Sequence, residues 1–101
     1  MNPSLKCVVP GDLTSTTATA FRAQIDQLLN AQGKTSPLGL LELDLTAARM
    51  IDSVGLNLLV SIIKGVKERG GTVRILIIHQ NIQRILAFTR IDKHAEVKMA
   101  V

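Results

Sequence analysis

Aromatic side chains are nearly missing from this 101-residue chain, which has two Phe, no Trp and no Tyr. Modules that bind single-stranded nucleic acid stack bases on aromatic platforms, so the composition argues against that class. The core must instead be built from Leu, Ile and Val. Cysteine is reduced to Cys7. A single cysteine forms no internal disulfide, and a reducing compartment is the expected setting. Cys7 lies in the apolar run Leu5 to Val9 and is expected to be a small core residue. No apolar run approaches the ~18 residues of a membrane span. The opening Met1-Asn2-Pro3-Ser4 lacks the basic-then-apolar pattern of a signal peptide. A cytoplasmic protein without a membrane span is therefore expected. Blocks of one charge are also lacking. The net charge of +4, from 12 Lys+Arg and 8 Asp+Glu, is scattered along the chain. That distribution suits a solvated surface better than direct contact with nucleic acid or lipid.

What is present is an aliphatic chain with 47% hydrophobic and 20% charged residues, the balance of a soluble, globular protein. Its length fits one domain spanning residues 1–101 and is enough to bury a core without staples. Leu5 to Val9 reads as a short strand closed by Pro10-Gly11. The polar stretch Asp12 to Thr19 leads into a helix over residues 17–31, with Phe21, Ile25, Leu28 and Leu29 at helical spacing and Ser15, Thr16 or Thr17 able to cap it. Gly33 suits the left-handed residue after that helix, within a turn running from Gln32 to Pro37. Leu38 to Leu45 is a central strand. Val73 to Ile78 is a second buried strand, and Ala95 to Val101 is an edge strand. Between the first two lies a long helix from Ser53, with Leu56, Leu59, Val60, Ile63 and Val66 on one stripe, a cationic last turn and Gly70-Gly71 as its stop. A short third helix is capped by Asn81 and carries Ile82, Ile85, Leu86 and Phe88. Strands alternating with helices predict an α/β layer with right-handed crossovers.

The stretch Met50-Ile51-Asp52-Ser53-Val54-Gly55-Leu56 joins the central strand to the long helix. Asp52 is the expected N-cap and Ser53 the first helical residue. A phosphoryl group on Ser53 adds about −1.5 to −2 charges and three acceptor oxygens. A helix N-terminus tolerates that anion, so the modification can alter a docking surface without unfolding the domain. Gly55 leaves the first turn bare, which either lets a partner approach or relieves crowding against a neighbouring strand. Spacing alone ranks capping ahead of regulation, because an acid and a hydroxyl before a helix are a common cap.

Leu41-Glu42-Leu43-Asp44-Leu45-Thr46, followed by Met50 to Leu56, resembles the central signature of STAS domains, the anti-sigma-factor antagonist family. Lys67-Glu68-Arg69-Gly70-Gly71 and the segment Ile82 to Lys93 fit the same pattern, so the resemblance runs from about Gly11 to Val97. It implies a STAS-like α/β fold, a mixed, mostly parallel sheet of about four strands with helices packed against it, and no cofactor. It also implies that the unphosphorylated protein binds an anti-sigma factor with a histidine-kinase-like ATPase fold. That factor phosphorylates the serine matching Ser53, and a metal-dependent serine phosphatase reverses the step. The implied docking surface comprises Leu13, Thr14, Ser15 and Thr16 with Asp52, Ser53, Val54, Gly55 and Asn57. The chain departs from the family pattern in four places. Only a few residues precede Leu5, so the family's extra N-terminal strand is expected to be absent. Thr14 stands for the usual aspartate, Val54 for a small hydroxyl residue, and Arg90 for a glycine after the third helix. The alternative is a STAS binding module in another assembly, such as lipid transport or stress signalling, with Ser53 only a cap.

Catalysis has little support. His79 and His94 have no acidic or thiol partner at metal-ligand spacing and read as solvent-facing loop residues. Asp44 reads as structural at its strand's end. No nucleophile–base pair stands out, so a non-enzymatic protein is expected.

Overall fold

Leu40–Asp44 (β2) and Thr72–Ile77 (β3) form the middle of a sheet whose edges are Ser4–Val8 (β1) and Glu96–Met99 (β4). The computed structural model describes residues 3–33 and 36–100. The expected turn residues Lys34 and Thr35, and Val101 of the expected last strand, lie outside the described residues. The strand order is β1-β2-β3-β4, and every neighbouring pair is parallel. The connecting helices are Ala18–Asn30 (α1), Ser53–Glu68 (α2) and Gln80–Phe88 (α3), and a 3-10 turn spans Ile91–Lys93.

Sequential order decides how the layers stack. Right-handed crossovers taken always in the same direction put successive helices on one face of a sheet. The burial pattern agrees. Cys7, Leu41, Leu43, Val73, Ile75 and Ile77 point into the core, while alternate residues stay open or half-covered. Lys6, Glu42, Arg74 and Glu96 are direct cross-strand neighbours on the other face. They form a ladder of ion pairs at 3.7, 3.5 and 2.9 Å. The segment Val73 to Ile78 is therefore buried on one side only, and Ile78 is exposed. The fully buried strand expected from its apolar run is corrected by Arg74 and Leu76, which face the open side.

Helix α2 buries Leu59, Ile63 and Val66 of the stripe its sequence suggests, but its inward face is shifted from that stripe at Leu56 and Val60. Gly55, Leu58, Leu59, Ile62, Ile63 and Val66 are buried, whereas Leu56 is half-buried and Val60 is 51% exposed. Leu58 and Ile62 are buried alongside the three shared residues, so the inward face is rotated toward them and away from Val60. The third helix differs too. Its N-cap is His79, without a side-chain bond, and Asn81 lies inside the first turn. Asn81 does not cap; its Nδ2 donates to the carbonyl of Arg49 at 2.7 Å and so ties α3 to the crossover loop. Ile82 and Leu86 are buried, but Phe88 is 90% exposed and takes no part in the core. His79 is half-buried at this helix start, whereas His94 is exposed.

Candidate functional site

Two loops meet at the start of α2. Leu13 donates its N–H to the carbonyl of Met50 at 3.1 Å, and Asp52 donates its N–H to the carbonyl of Leu13 at 3.3 Å. Together they make an isolated parallel bridge between Leu13 and Ile51. Asp12 reinforces this join. Its Oδ1 accepts from the backbone N–H groups of Arg49, at 2.8 Å, and Met50, at 3.1 Å. The Asp12 carbonyl also accepts from the Thr17 hydroxyl at 2.7 Å.

Asp52 is the N-cap of α2 and has extended backbone geometry. Its Oδ1 accepts from the N–H of Gly55 at 2.9 Å, satisfying one of the helix's free donors. Its Oδ2 accepts from the N–H of Ser15 at 2.8 Å. One carboxylate thus starts the helix and holds the 13–16 loop beside it. Hydrogen bonds from Gly55 first, and Ser15 second, hold its carboxyl below the usual aspartate range. Asp52 is therefore anionic at neutral pH. Ser53 is the first residue of α2, and it is exposed. Asn57, one turn further along, is also exposed, and Val54 is 44% exposed.

Gly55 is buried, which decides between the two readings of its missing side chain. A Cβ there would collide with the carbonyl oxygen of Leu13. The bare position lets the chain's own loop approach; it does not open the surface to a partner. Leu13 is likewise fully buried. Of the residues expected to form the docking surface, Ser15, Thr16, Ser53, Val54 and Asn57 are exposed, and Thr14 and Asp52 are half-covered. Leu13 and Gly55 support that surface from beneath.

Thr14, which the resemblance sets against a family aspartate, bonds within its own loop and to the start of α1. Its hydroxyl is 2.9 Å from that of Thr16, and its N–H donates to the Thr17 hydroxyl at 3.0 Å. Its carbonyl accepts from Ala18 at 2.8 Å and so begins α1. Thr17 sits at the N-cap position, but its hydroxyl turns back to Asp12 without capping.

Reading the sequence missed two contributors. Asp12 is a hub of the site, and the signal for it was the acid between Gly11 and Leu13. The other is a groove of about 480 Å³ running from Asp52 and Ser53 past Leu56 to Arg84, Ile85 and Phe88 of α3. No local pattern links α3 to Ser53, because only tertiary packing brings them together. Among the described residues, no group of three or more His, Cys, Asp or Glu is placed to hold a metal ion. No helix among them is long and apolar enough to cross a membrane.

A family model described as the STAS domain matches residues 5–101. No curated protein matches the sequence significantly. Among solved structures, the crystal structure of TM1081 from Thermotoga maritima, described there as a candidate anti-sigma factor antagonist, superimposes with a TM-score of 0.76. That match has 20% identity and covers 91% of this chain and 77% of the other. The NMR structure of TM1081 gives a TM-score of 0.74 at 20% identity, covering 94% and 74%. At this identity the structural likeness establishes the fold.

Proposed function

The chain belongs to the STAS domain family, and from that premise we propose that it is an anti-sigma-factor antagonist switched by phosphorylation of Ser53. The observation that carries this reading is the exposed Ser53 hydroxyl at the first position of a helix whose cap also binds the neighbouring loop. The acceptor is therefore presented on a fixed surface. In the proposed cycle the unmodified protein docks on an anti-sigma factor with a histidine-kinase-like ATPase fold, which frees the sigma factor. Ser53 Oγ then attacks the γ-phosphorus of the partner's ATP, its proton passes to a base on the partner, and ADP leaves. A metal-dependent serine phosphatase hydrolyses the product.

Charge explains the release. Asp52 is already anionic beside Ser53. A phosphoryl group adds about −1.5 to −2 charges at the same helix terminus. The N-terminal N–H groups stabilise that anion within the domain. A partner surface matched to a neutral hydroxyl must desolvate it without such donors. Ser15, Thr16, Val54 and Asn57 complete the proposed contact surface, with Thr14 and Asp52 at its inner edge.

Incubation with the cognate anti-sigma ATPase and ATP, followed by peptide mass spectrometry, tests the reading. A single phosphoryl group on Ser53 is expected, together with loss of binding by Ser53→Asp. Phosphate found elsewhere, with binding indifferent to Ser53→Asp, rejects it. Binding that survives in a membrane-transport assembly would instead favour an unphosphorylated binding module.

A further inference from the structure

At the opposite end of α2 from Ser53, the helix and the 3-10 turn enclose a second depression of about 450 Å³. Its apolar walls are Val60, Ile63 and Ile91. Ile63 and Ile91 are all but buried, whereas Val60 is 51% exposed on a helix whose apolar face lies elsewhere. The rim is cationic. Lys64 and Lys67 rise from successive turns of α2, and Lys67 Nζ lies 3.4 Å from His94 Nδ1. Glu68 is the one acid among the lining residues.

An apolar floor with basic groups at one edge is complementary to a molecule with an apolar tail and an anionic head. The dimensions select among such molecules. The volume falls in the range of small-molecule sites, roughly 300–1,000 Å³. Lysine stems can line an apolar chain while their ammonium groups stay in water and meet a carboxylate. We propose that this depression is a binding site for a single-chain carboxylate amphiphile of medium length, with the tail laid on Val60 and the exposed edges of Ile63 and Ile91 and the carboxylate between Lys64 and Lys67. The site is separate from the surface around Ser53 and does not depend on phosphorylation.

Displacement of the fluorescent anion 1-anilinonaphthalene-8-sulfonate by dodecanoate, below its micellar range, tests the site on the intact protein. Dodecanoate is expected to displace the dye at a concentration at least tenfold lower than dodecanol or dodecylammonium. Val60→Glu, and the double variant Lys64→Glu with Lys67→Glu, are each expected to raise that concentration at least tenfold. The lysines are exposed, so the double variant keeps the test decisive if Val60→Glu proves unfolded by circular dichroism. Equal displacement by all three amphiphiles, or displacement unaffected by the lysine double variant, overturns the proposal. Displacement by an acidic amphipathic peptide but not by dodecanoate also overturns it, in favour of a protein partner.

Discussion

At the scale of single residues, the start of α2 depends on one carboxylate and one missing side chain. Asp52 accepts from both Gly55 and Ser15, and Gly55 leaves room for the carbonyl of Leu13. Because the opposing atom belongs to the backbone, it cannot swing away as a side-chain tip would. Gly55→Ala is therefore expected to lower stability by about 3 kcal/mol, the upper end of overpacking costs, as read by urea unfolding. Arg90 presents the reverse case. It has φ 63°, a left-handed conformation that glycine adopts more readily. A non-glycine residue is disfavoured there by roughly 1–2 kcal/mol, and glycine's greater freedom in the unfolded chain returns part of that. Arg90→Gly is expected to raise stability by about 0.5–1 kcal/mol, visible as a higher denaturation midpoint with an unchanged slope.

At the scale of elements, α2 carries more apolar surface than the core uses. Leu59 is fully buried whereas its neighbour Val60 is half open. Leu59→Ala is expected to cost about 2–5 kcal/mol, the usual range for emptying a packed leucine site. Val60→Ala should stay within about 0.5 kcal/mol, as exposed substitutions do. Denaturant titration of the two variants separates the buried face of the helix from its exposed one. A Val60→Ala cost comparable to that of Leu59→Ala would show that the helix packs with a different face. The end of α2 is fixed from outside the helix. The Arg69 guanidinium donates to the carbonyls of Ser36 (2.8 Å), Leu29 and Gly33, joining α2 to the end of α1 and the turn that follows it. A second tie runs from Arg22 of α1 to the Ser61 hydroxyl at 2.8 Å.

At the scale of the whole molecule, the parallel sheet has helices on one face and a charge ladder on the other. Fully parallel sheets usually cover both faces. Here Lys6, Glu42, Arg74 and Glu96 keep the open face polar, and each such exposed pair adds little to stability. Alternating periodicities in the sequence were enough to order strands and helices, because strand and helix spacings differ and Gly or Pro marks their ends. The cap at Asp52 and the left-handed turn at Gly33 were legible for the same local reason. The exposure of Val60 on α2, the exposure of Phe88 and the use of Asn81 were not. Each depends on contacts between segments far apart in the chain.

The sequence by itself determined the element order, the aliphatic core, the capped serine at the head of α2 and the resemblance to STAS domains. Those properties rest on local spacing and on side-chain chemistry, which the chain carries wherever it folds. Only the tertiary structure decided what Gly55 faces, how Asp12 and Ser15 reach the loop around Asp52, and which apolar residues of α2 remain open. The Asp52–Ser53 pair is a helix cap on local grounds. It becomes part of a surface because a second loop, 37 residues away in the chain, lends it the Ser15 N–H.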